Sequence, residues 1–102
     1  MRRGEVWEAQ VGGKRRPVLV LTRSEVIDVR QLVTVAEITT NIRGLSVEVE
    51  LDRQGAGLNR QSVVNCDEIH TIEQRVLTGQ LGAVEESTMR NVCAAIEYAL
   101  GC

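Results

Sequence analysis

Of the twelve basic residues in this 102-residue chain, all but Lys14 are arginine. Arginine carries a permanent charge on a planar donor fork that matches phosphate oxygens, so these side chains could grip a phosphodiester. They serve surface solubility equally well, and composition leaves both roles open. Their placement is uneven. Residues 1–43 hold eight basic and five acidic groups, and residues 44–102 hold four and nine. The basic half sits in a chain whose net charge is −2, which argues against strong indiscriminate binding of nucleic acid. Cys66, Cys93 and Cys102 form no C-x-x-C pair, and His70 is the only histidine. A zinc centre needs about four ligands at set spacings, so no metal site is expected. An odd cysteine count without secretory features argues against a disulfide framework. Cys93 reads as a small buried hydrophobe on a helix.

The elements that must position these groups are mostly strands. Trp7, Ala9 and Val11 share one face of a strand over Glu5–Val11, and Gly12-Gly13 mark a tight turn. Pro17–Leu21 reads as a buried strand with proline at its start, where a missing N–H is tolerated. Ser24–Gln31 is polar, with a short helical turn capped by Ser24. Leu32–Ile38 is β-branched. Leu45, Val47, Val49 and Leu51 alternate with polar residues, as in a strand with one wet face. Residues 55–59 form a loop, and two short strands, Ser62–Cys66 and Ile69–Ile72, precede a third at Leu77–Gly82. Met89, Val92, Cys93, Ile96 and Leu100 fall at helical spacing, with Gly101 as the stop. The chain therefore reads as one domain, residues 1–102, mainly β with a C-terminal helix. Trp7 and Tyr98 are its only aromatics, so the core is aliphatic and Trp7 belongs to it or to a dimer interface. So small a domain favours a surface groove or a dimer interface over a deep pocket. No apolar run approaches the ~20 residues of a membrane span, and no secretory signal opens the chain; a cytoplasmic protein is expected.

Short segments in a fixed order carry a resemblance. Arg3-Gly4-Glu5-Val6-Trp7 is followed by Arg15-Arg16-Pro17-Val18-Leu19-Val20-Leu21, then Ile38-Thr39-Thr40. Ser62-Val63-Val64-Asn65-Cys66-Asp67-Glu68-Ile69 precedes Thr71-Ile72, and Leu81-Gly82 leads to the helix ending in Leu100-Gly101. Each is weak alone, but together they resemble the MazF/PemK toxins of type II toxin–antitoxin pairs over nearly the whole chain. The resemblance implies a small SH3-like β-barrel acting as a homodimer. It implies a metal-independent endoribonuclease, without cofactor, that cuts single-stranded RNA at short sequences. It also implies a cognate antitoxin that blocks the RNA groove.

Metal-free cleavage uses the ribose 2′-hydroxyl as nucleophile and leaves 2′,3′-cyclic phosphate and 5′-hydroxyl ends. It needs charge stabilisation on the phosphorane and two proton transfers. Arg16 fits the first task and is a poor base, with a pKa above ~12. By the resemblance, Thr39 is the site threonine at the end of the third strand, and Asp67 matches an acidic residue that is catalytic in some members. Lys14, Arg15, Thr40, Asn41, Arg43, Asn65 and His70 are the expected RNA contacts, His70 with a smaller claim to proton transfer. Asn65 and His70 stand where members of the family carry arginine. The link Gly12-Gly13-Lys14 lacks the acid or base that many members carry in a longer loop. The same barrel serves the CcdB toxins, which bind DNA gyrase, and could serve a silent RNA binder; Arg16-Pro17 with Thr39 favours the nuclease.

Overall fold

The computed structural model describes all 102 residues. Six strands form one antiparallel sheet: β1 (Glu5–Val11), β2 (Lys14–Val20), β3 (Leu32–Thr39), β4 (Glu48–Glu50), β5 (Val63–Glu73) and β6 (Leu77–Ala83), in the order β4-β5-β3-β2-β1-β6. A helical turn, α1 (Ser24–Ile27), joins β2 to β3, and α2 (Glu86–Leu100) closes the chain. The β1–β2 hairpin turns on Gly12 and Gly13, both at positive φ, a region closed to most side chains.

Alternation along the strands feeds two cores, one on each face. Leu19 and Leu21 join Val6, Ala36, Ile38 and Val64 in one, which α2 covers with Met89, Val92 and Ala95. Val18 and Val20 join Ala9, Val11, Val33, Val35, Ile27 and Leu77 in the other. Trp7 is half-buried against this second core and donates its indole N–H to Glu5 Oε1 at 2.9 Å. The sheet rolls toward a barrel, and its open edges meet through a loop. Ala83 N–H donates to the Gly55 carbonyl at 3.0 Å, and Gly57, at φ +74°, lies directly on the Leu81 backbone.

Several elements differ from the sequence reading. β2 starts at Lys14, not Pro17; β3 joins only at Val18, so Pro17 lies where that edge is still open and its missing N–H costs nothing. Arg23, not Ser24, precedes the first helical residue of α1, and the Ser24 hydroxyl accepts the Arg3 N–H instead. The alternation at 45–51 buries Val47, Val49 and Leu51, but only Glu48–Glu50 pair as strand, because Glu48 gathers the N–H groups of Arg43, Gly44 and Leu45 into a turn. The two short strands at 62–72 are one strand, β5, with a bulge. On α2 the buried stripe is Met89, Val92 and Ala95; Cys93 and Leu100 are exposed, because a helix this amphipathic buries one side and residue 93 lies a hundred degrees round from 92. Gly101, at φ +73°, ends the helix, with Cys102 N–H returning to the Glu97 carbonyl at 3.0 Å.

A methyl at Gly57 would strike the Leu81 backbone, whereas one at Gly13 meets open space, although both have positive φ. Gly57→Ala should therefore lower the melting temperature clearly more than Gly13→Ala, which carries only the ~1–2 kcal/mol left-handed penalty. Equal shifts in thermal denaturation would show that the loop–β6 contact imposes no constraint.

Candidate active site

Register brings the polar groups together. Val18 pairs with Glu37 across β2–β3, and Arg16 lies two residues from Val18 on the same face. Across β3–β5, His70 pairs with Val35, Asn65 with Glu37 and Val63 with Thr39. Ala36 pairs with Ile69 while Glu37 pairs with Asn65, so Cys66, Asp67 and Glu68 are extra residues thrown out as a bulge. The result is one sheet face whose apolar half is the second core and whose far end carries Arg16, Glu37, Thr39, Asn65 and His70.

Glu37 is the centre of this end. It is 9% exposed, one of only two buried polar residues. Its Oε1 meets Arg16 Nη1 at 3.1 Å, and its Oε2 accepts from His70 Nε2 at 2.5 Å. Glu68 Oε2 stands 3.9 Å from the same imidazole nitrogen. Both carboxylate oxygens of Glu37 are thus engaged, as a buried charge requires. Arg16 remains 38% exposed, so its fork reaches solvent beside its ion pair.

The remaining expected residues surround this cluster. Thr39 Oγ1 accepts the Asn41 N–H at 3.0 Å and steers the chain off the sheet, leaving Thr40 and Asn41 exposed. Lys14 and Arg15 are exposed at the hairpin, Arg15 3.8 Å from Glu8. Arg43 is engaged by Glu48 at 3.0 Å. Burial pushes the Glu48 carboxyl up, but the hydrogen bonds from Arg43, Leu45 and Gly44 outweigh it and hold the group below the usual carboxylate range. Asn65 turns its Oδ1 to the Asp67 N–H at 3.0 Å, fixing the bulge. Asp67 is exposed at its crest, and its carboxylate makes neither ion pair nor hydrogen bond. Beside it, burial first and the Asp67 charge second push the Cys66 thiol up to about 11.

Glu37 was absent from the expected site. Its one signal is a lone acid inside the β-branched run Leu32–Ile38, at a position facing a core; such a charge must find partners, and spacing does not say which. Nor does spacing show that Glu37, Glu68 and His70 bring ligand atoms within 4.8 Å of one another. Arg16 and His70 already occupy both Glu37 oxygens.

The site thus offers an arginine fork open to solvent beside its ion pair, a threonine hydroxyl further along the same strand face, and an imidazole tied to the shared carboxylate. The comparisons agree at the level of family. The model of the PemK-like, MazF-like toxins of type II toxin–antitoxin systems matches residues 2–100. The chain is 41% identical over 103 residues to the probable endoribonuclease MazF5 of Mycobacterium tuberculosis, covering 98% of this chain and 93% of that one. The solved M. tuberculosis toxin MazF-mt6 superposes with a TM-score of 0.89 at 42% identity, over 95% of this chain and 96% of that one. An endoribonuclease from a mycobacterial species, solved in complex with its cognate antitoxin, superposes at 0.87 with 27% identity, over 99% and 95%. The chain belongs to the PemK-like, MazF-like toxins.

Two outcomes follow from the ionisable groups. Cys66 should stay unmodified by a maleimide in the native protein and react only on unfolding, while exposed Cys102 labels at once; rapid labelling of Cys66 in intact-mass analysis would contradict its burial. Glu48 is depressed in the folded state, so its stabilisation is present above the unfolded carboxylate range and is lost as pH falls through its folded value. Glu48→Gln should flatten the acid side of the melting temperature–pH curve, and a curve merely displaced in parallel would contradict this.

Proposed function

We propose that this toxin cleaves single-stranded RNA by attack of a ribose 2′-hydroxyl on the adjacent phosphorus, leaving 2′,3′-cyclic phosphate and 5′-hydroxyl ends, with no metal taking part. The observation that carries the reading is Arg16. Glu37 fixes one side of its guanidinium at 3.1 Å while the rest of the fork stays open to solvent, so a charge is pre-oriented where phosphorane oxygens would develop theirs. Thr39 shares that face, and continuing the β2–β3 register by two residues sets it opposite Arg16; its hydroxyl can donate to a phosphate oxygen. Lys14, Arg15, Thr40 and Asn41 are exposed around this end and suit backbone and base contacts along an extended strand. Asn65, Asp67 and Arg43 border it.

The protein works as a homodimer in the cytoplasm, where two copies give a longer RNA path than one barrel. Its activity is held in check by a cognate antitoxin, a reading supported by the relative solved with its own. No helix is long and apolar enough to cross a membrane.

Cleavage of a mixed-sequence RNA should persist in EDTA and yield cyclic phosphate ends; activity lost to chelator and restored by magnesium would sink the mechanism. Arg16→Ala should lose ~10²–10³-fold in turnover and Thr39→Val less, since it removes one hydrogen bond. Arg16→Ala should also melt lower, because Glu37 loses a partner. Wild-type turnover in a folded Arg16→Ala protein would place the site elsewhere.

A further inference from the structure

RNA cleavage by a 2′-hydroxyl leaves one task unassigned on this face, the removal of the hydroxyl proton. Arg16 cannot take it, and Thr39 has no basic group. Glu37 has both oxygens engaged and its side chain is 12% exposed. Asp67 is exposed on the bulge crest, with no hydrogen bond or ion pair to Arg16 or Glu37. His70 differs from all of these. Its Nε2–H is tied to Glu37 Oε2 at 2.5 Å, its Nδ1 makes no hydrogen bond, and its side chain is 31% exposed.

We infer that His70, held in the Nε2–H tautomer by Glu37, is the general base of the cleavage, with Nδ1 as the accepting atom and Glu37 as its positioning residue. The inference rests on the RNA-cleaving reading above. The step balances as follows. The O2′–H proton passes to Nδ1 while O2′ forms its bond to phosphorus. The P–O5′ bond breaks with its electron pair on O5′, which takes a proton from solvent water. The imidazolium then returns its proton to solvent. Glu37 stabilises the imidazolium as it forms, the role of a carboxylate behind a histidine base. One carboxylate thereby serves both halves of the chemistry, with Oε1 orienting the phosphate-binding Arg16 and Oε2 orienting the base.

The charged groups facing the ring are Glu37 from β3, Glu68 from its own strand at 3.9 Å, and Arg16 from β2 on the far side of Glu37. Glu68 is 54% exposed and therefore weakly coupled to the ring. Glu37 is the group that holds the Nε2–H and faces the ring most closely, so its loss leaves Nδ1 without a fixed orientation.

The test is the pH–rate profile for cleavage of a long mixed-sequence single-stranded RNA, measured at saturating enzyme. His70→Gln should cut ~10²–10⁴-fold more slowly and lose the acid limb of the profile, a loss far larger than any change in its binding of an all-2′-deoxy strand, which cannot be cleaved. Glu37→Gln keeps the shape and should cut clearly more slowly than wild type, with a loss in rate larger than any change in its binding of the all-2′-deoxy strand. A folded His70→Gln protein with the wild-type rate and profile would overturn the inference while leaving the RNA-cleaving reading intact. So would a folded Glu37→Gln protein that cuts at the wild-type rate, should His70→Gln fail to fold. Wild-type protein that leaves RNA whole at every pH would overturn both.

Discussion

The Glu37 carboxylate is almost fully withdrawn from water in a sheet whose other buried residues are nearly all apolar. A charge in that position is costly unless its oxygens are matched, and losing a partner leaves it exposed to the low dielectric. Here the partners come from the strands on either side, Arg16 from β2 and His70 from β5. Three strands must therefore dock in one register for Glu37 to be satisfied. No buried side-chain polar atom is left without a hydrogen bond, so this register meets the demand in full. The same three residues form the polar end of the candidate site, and structural necessity and proposed chemistry share one carboxylate.

The bulge in β5 makes that arrangement possible. A regular ladder would place Glu68, not Asn65, opposite Glu37. Three extra residues restore pairing on both sides, and they divide their roles. Cys66 turns inward to the core under α2, while Asp67 and Glu68 are carried out to solvent. Asn65 holds the excursion from within by accepting the Asp67 N–H. Bulges of this kind re-aim side chains beside functional sites at the expense of ladder bonds. The compensation lies in Cys66, whose N–H finds the Val47 carbonyl at 2.9 Å.

The rolled sheet has two cores because both faces of its central strands are apolar. One face is roofed by α2. The other is filled at one end by α1 and β6 and left open at the other, where Arg16 and Thr39 emerge. The proposed RNA-binding surface is thus a continuation of a core face, and the fold provides rigid strand ends, not flexible loops, to hold it.

Much of this was legible in the residues. Alternation located β1, β-branched residues located β3, the paired glycines located the turn at Gly12-Gly13, and helical spacing located the helix that ends at Gly101, because local propensity and burial agree there. The ordered motifs carried the family, and Arg16 stood out by its type and its place before Pro17. Other features depend on partners distant in sequence. Periodicity could not choose between Cys93 and Ala95 for the buried side of α2, since only docking against the sheet selects which stripe is covered. It read β5 as two strands, because a bulge breaks alternation without breaking the strand. Above all, the sequence shows Glu37 only as an acid among valines. That it lies between Arg16 and His70 was decided by the pairing of three strands, since residues up to 33 positions apart become neighbours only when backbone hydrogen bonds set their register.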